Sequence, residues 1–123
     1  MDVGAMTDRN ASARAECDRR IAAHENQVDE DLNALRQLDE RWATFRQVMR
    51  ENVDRFEESG HAVGTENYGV QHDLAALREL GAYAERLARE QSELSGEASR
   101  TIRVDGEAEI ERLRDERSRL PWD

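Results

Sequence analysis

The side chains in this 123-residue chain best suited to metal binding or nucleophilic work are His24, His61, His72 and the lone Cys17. The three histidines share no i, i+4 spacing, so no two of them stack on one helical face as paired metal ligands do. A metal site would need carboxylates brought in by the fold, such as Glu25 or Asp73. Ser92, Ser95 and Ser99 lie near no histidine in sequence and read as structural. Carboxylate runs such as Asp29, Glu30 and Asp31 are the acid–base candidates, but that work needs sheltered carboxyls with shifted pKa values. On a helix such a run is ordinarily a solvated face. There is no phosphate loop, dinucleotide fingerprint or nucleophile elbow. The residues point to no catalysis, no metal and no cofactor; they point to an interaction protein rather than an enzyme.

Composition narrows the class further. Charged and hydrophobic residues each make up 37%, with one proline and six aromatics. Abundant Ala, Leu, Glu and Arg favour helix. There are too few large apolar residues to fill a compact core, whereas long helices burying a narrow seam need fewer. Eighteen basic against 28 acidic residues give a net charge of −10. That argues against a nucleic-acid backbone or an anionic membrane surface as partner. Every basic residue is Arg, which GC-rich coding explains; the alternative is that planar, weakly hydrated guanidinium suits interfaces. Cys17 has no intramolecular partner and reads as a small packing residue. The N-terminus has no apolar signal-peptide core, and no run approaches the ~18 apolar residues of a membrane span. The expectation is synthesis in the cytoplasm, with any export by a route that cleaves no signal. Met1 to Met6 is set aside from the fold, since Met6 can serve as an alternative start.

The elements follow from apolar periodicity. Val28, Leu32, Leu35, Leu38, Trp42, Phe45, Met49, Val53 and Phe56 recur in steps of three and four, the rhythm of one helical face. The pattern predicts a helix over about 8–58, with Thr7 or Asp8 as N-cap and Gly60 as C-cap. Residues 59–69, with three glycines, read as the loop, and Thr65 or Asn67 can cap the second helix. A second stripe, Val70, Leu74, Leu77, Leu80, Tyr83, Leu87, Leu94, Ala98 and Ile102, predicts a helix over about 70–119. Asp105 near a weak break offers a cap for a short third C-terminal helix, Glu107 to Arg119; alternatively the second helix runs straight through. The fold class is all-α: one domain over 1–123, a long antiparallel two-helix hairpin of coiled-coil type.

A turn near residue 63 would pair positions whose numbers total about 126. Phe45 then faces Gly81, Trp42 lies near Tyr83, and Leu32 faces Leu94. A glycine opposite the bulkiest side chains lets two backbones approach without overpacking. The expected hairpin core is Val28, Leu32, Leu35, Leu38, Trp42, Phe45, Met49, Val53 and Phe56 against Leu74, Leu77, Gly81, Leu87 and Leu94. Bare two-helix hairpins are rarely stable alone, and apolar residues are left over at Val63, Tyr68, Ile110, Leu113, Leu120 and Trp122. Those six are the expected partner-binding residues. The partner is either a protein with a helical segment or a second copy of the chain, as in a self-associating coiled-coil scaffold.

Three features together resemble a known family. They are the long first helix with Leu35-Arg36-Gln37-Leu38-Asp39-Glu40-Arg41-Trp42-Ala43-Thr44-Phe45, the mid-chain loop with a charged second helix, and the closing Glu111-Arg112-Leu113-Arg114-Asp115-Glu116-Arg117-Ser118-Arg119-Leu120-Pro121-Trp122. The layout resembles the small acidic helical-hairpin proteins encoded beside LXG toxins of bacterial type VII secretion systems. The likeness covers nearly the whole chain as a pattern; the loop reads His61-Ala62-Val63-Gly64 where such partners carry Trp-x-Gly. The resemblance implies a targeting chaperone or adaptor that binds a toxin's helical N-terminal region and delivers it to the secretion machinery.

Overall fold

The computed structural model describes residues 3–64 and 67–121, the side chains of 3–7 excepted. It is all-α: α1 spans Val3–Val63 and α2 spans Tyr68–Arg119, and the two helices pack against each other as an antiparallel hairpin. Residues cluster into two compact units, a loop unit of Arg36–Gly96 and a terminal unit of Met1–Leu35 with Glu97–Asp123.

The helix ends depart from the sequence expectation in instructive ways. α1 begins at Val3, so Thr7 and Asp8 lie inside it rather than capping it. It also passes through Gly60 and ends at Val63, and Gly64 takes the left-handed conformation (φ 114°) that terminates a helix. The Gly64 amide donates to the Gly60 carbonyl at 3.1 Å. Gly60 is buried inside the helix because α2 needs the space. A Cβ there would stand 3.1 Å from both Leu74 Cδ1 and Val70 Cγ1. Asn67 caps α2, its Oδ1 accepting from the amides of Gly69 (3.0 Å) and Val70 (3.3 Å). Of the two alternatives at Asp105 the unbroken one holds: α2 runs through Asp105 and Gly106, and there is no separate third helix among the described residues. It stops at Arg119, just ahead of Pro121.

Gly106 explains its own place in α2. A Cβ at Gly106 would lie 2.5 Å from Val28 Cγ2. Val53–Gly81, Val28–Gly106 and Gly60–Leu74 are all close pairs, and their numbers each total 134 rather than 126. The register is therefore eight residues away from the expected one, a little over two helical turns. The cause is local: α1 does not stop at Gly60, so the turn comes later in the chain. Gly81 faces Val53, not Phe45.

Gly106→Ala provides the check on this register. Alanine is the better helix former by about 1 kcal/mol, but Val is stiff at χ1 and cannot swing clear, and overpacking costs about 1–3 kcal/mol. Urea denaturation should show Gly106→Ala no more stable than wild type, with a net loss of up to about 2 kcal/mol. A variant more stable by a full helix-propensity increment would mean that Val28 and Gly106 do not meet.

Candidate interaction surface

In the loop unit, α1 turns Trp42, Arg46, Met49, Val53, Glu57 and Gly60 toward α2. α2 answers with Leu74, Leu77, Gly81, Ala84, Ala88, Gln91 and Ser95, again in steps of three and four that average the coiled-coil repeat. The α2 side of this seam is small: beyond Leu74, its buried members are Ala84, Ala88 and Ser95. The Ser95 hydroxyl is buried with no hydrogen-bond partner among the described residues, so Ser95 serves the seam by its size.

The seam departs from the expected apolar stripe at two points on α1. After Trp42 it steps four residues to Arg46, not three to Phe45, and after Val53 four to Glu57, not three to Phe56. Phe45 and Phe56, both expected in the core, are exposed, Phe45 at 42%. Leu94 corrects the same expectation on α2, with 59% of its surface open, because Ser95 holds the inward position. Leu74 is buried, as expected of a core residue. The other expected core residues, Val28, Leu32, Leu35, Leu38, Trp42, Met49, Val53, Leu77, Gly81 and Leu87, are half-buried. Trp42 meets Phe45 edge-on, ring centroids 5.7 Å apart.

Charge takes the places the phenylalanines leave. Arg46 donates through Nε (3.0 Å) and Nη2 (2.7 Å) to Glu85 Oε2, and Arg50 Nε donates to Glu85 Oε1 at 2.7 Å. Arg78 Nε donates to Glu57 Oε1 at 2.8 Å. The Arg46 hydrogen bonds, then that from Arg50, hold the Glu85 carboxyl below its ordinary value of 4.5. The terminal unit has its own cross-helix pairs: Arg117 Nε donates to Asp18 at 2.7 Å, and Arg114 lies 3.6 Å from Glu25. There His24 Nε2 lies 3.8 Å from Glu109, whose carboxyl is lowered chiefly by its hydrogen bond from Arg112. A salt-bridged partner two turns away would go unmet, so these pairs specify register as much as strength.

The six expected partner-binding residues separate. Val63 and Tyr68 flank the turn and are exposed, Tyr68 at 84%. Ile110 and Leu120 are half-buried. Leu113 is a correction: it is 1% exposed, the best-buried large side chain described, because it lies on the α2 seam between Glu109 and Arg117. Trp122 lies outside the described residues.

A different surface emerges in the loop unit. Its exposed large apolar residues include Phe45, Val48 and Phe56 on α1 and Leu80, Tyr83 and Leu94 on α2. Each stands one residue before a seam position: before Arg46, Met49 and Glu57, and before Gly81, Ala84 and Ser95. One residue is about 100° of helix rotation. Because α1 and α2 run in opposite directions and face each other, that equal step turns both stripes to the same side of the unit. The other side holds an open groove of about 460 Å³ over Met49, Val53 and Gly81, edged by Arg46, Arg50 and Arg78. Those three arginines are already bonded to Glu85 and Glu57, so the groove offers a ligand no uncommitted guanidinium. Sequence reasoning put Leu80 and Tyr83 on the packing stripe; the clue to the outer stripe was Gly81, Ala84, Ala88 and Ser95 continuing the phase of Leu74 and Leu77.

Compared with known proteins, the chain matches no protein-family model, no curated protein and no solved structure.

Glu85 sets a pH test. Its folded-state pKa is depressed, so the stability it contributes is present above the unfolded carboxyl value and is lost as pH falls through the folded value. Wild type should therefore melt above Glu85→Gln at pH 7, and the gap should close as pH drops below 4.5. A gap that persists unchanged at pH 2.5 would mean that the Arg46 and Arg50 bonds contribute nothing to it.

Proposed function

We propose that this chain is a non-enzymatic helical interaction protein, a targeting chaperone or adaptor that binds the helical region of a secreted toxin for type VII secretion. The supporting observation is the apolar side of the loop unit. An exposed patch built from two helical stripes is what an amphipathic partner helix covers. Among the exposed large apolar residues described, Val104 belongs to the terminal unit and the rest to the loop unit. The choice of a secreted toxin as partner comes from the family resemblance. The adaptor uses no cofactor and engages neither nucleic acid nor membrane, in keeping with its net charge of −10. No helix among the described residues is long and apolar enough to cross a membrane. In this reading it meets its cargo in the cytoplasm and travels with it to the secretion machinery.

Co-expression with the products of adjacent genes tests this reading. A toxin with a helical N-terminal region should co-elute with wild-type protein and be lost from Leu80→Glu or Tyr83→Glu, while Asp54→Asn on the groove side still captures it. If wild type retains no such product, the adaptor function is wrong.

A further inference from the structure

We infer that the apolar side of the loop unit is a self-recognition surface on which a second copy of this chain docks, face to face. A partner helix would compete with the second copy for this face, and two features carry the self-docking beyond the adaptor reading. The first is the matching of the stripes. In the observed register, whose pairs total 134, Val48 and Phe56 on α1 lie within two residues of the level of Leu87 and Leu80 on α2, all four standing one residue before the seam. A two-fold rotation about an axis along the helices sets α1 of one copy on α2 of the other, so each stripe meets the opposite stripe without any shift in level.

The second feature is charge. The stripe on α1 continues to Arg41, one residue before Trp42, and that on α2 to Glu90, one residue before Gln91. Both are exposed, and neither has an ion-pair partner among the described residues. The cross-helix ion pairs of this unit, from Arg46, Arg50 and Arg78, all use seam or groove-side positions. The two-fold brings Arg41 of each copy within three residues of the level of Glu90 of the other, about 4.5 Å of helix rise that two long side chains can span, giving two opposite-charge pairs per dimer. An unrelated partner would have to supply that complement by its own sequence; a second copy supplies it by symmetry. The occupied surface is an antiparallel four-helix arrangement with Phe45, Phe56, Leu80 and Tyr83 at its centre.

The test is the mass of the full chain in solution, by light scattering and sedimentation equilibrium across concentration. Wild type should be a dimer in the micromolar range. Leu80→Glu should be monomeric with its far-UV circular dichroism unchanged. Arg41→Glu and Glu90→Arg leave the apolar stripes intact, and each should raise the dimer dissociation constant about fivefold or more. Mixing those two variants should restore wild-type affinity as a heterodimer. The two reversed charges then meet each other in one pair, and the native Arg41 and Glu90 meet in the other. A chain that is monomeric at every concentration, or a mixture no tighter than either variant alone, overturns the proposal. A monomer that still captures a toxin through Leu80 and Tyr83 would refute self-docking and leave the adaptor reading standing.

Discussion

Close approach of α1 and α2 is the constraint on which the remaining features depend. Gly60 admits Leu74, Gly81 admits Val53, and Gly106 admits Val28 so tightly that a single added methyl has no room. Ala84, Ala88 and Ser95 extend the same logic along the α2 seam of the loop unit. A seam of small residues lets two helices touch while burying little apolar area, since each alanine removes far less surface from water than a leucine. The large side chains are therefore available elsewhere.

That trade explains why an acidic, arginine-rich hairpin presents Leu80, Tyr83, Leu94, Phe45 and Phe56 to solvent. Had the seam used those residues, the hairpin would have the core expected of it and a polar exterior. The observed phase puts arginine and glutamate at two seam positions of α1 instead. Arg46 and Glu57 stay half-buried because each reaches a partner on α2, and a half-buried charge without a partner would be costly. Ion pairs between exposed side chains contribute little stability on their own. Here their value is that an eight-residue slip would leave several of them unmet.

The terminal unit follows the same construction with a different outcome. Leu113 and Cys17 are buried, and Arg117 with Asp18 and Arg114 with Glu25 tie the helices across the seam. The positions one residue before its seam include Glu16, Arg20, Ala23, Gln27, Ala108, Arg112 and Glu116, none of them large and apolar. An apolar side of the kind described thus belongs to the loop unit, so the proposed binding is placed there rather than at Ile110, Leu113 and Leu120.

Much of this was legible in the residues themselves. Two helices, a break within residues 59–69, Asn67 as one of two candidate caps and the stop before Pro121 follow from propensity, apolar periodicity and turn chemistry, all of which act over a few neighbouring residues. So did the membership of Leu74, Met49 and Val53 in the packing. The phase of the seam was not legible, because steps from Trp42 to Phe45 or to Arg46 satisfy a helical face equally well in sequence. Hydrophobicity alone favours the phenylalanine. Only the tertiary structure decided between them, since the deciding contacts join residues dozens of positions apart: Gly106 against Val28, Glu85 between Arg46 and Arg50, Gly60 against Leu74. Local sequence determines that a helix forms and which residues could face inward; which of them do so depends on what the opposing helix has room for.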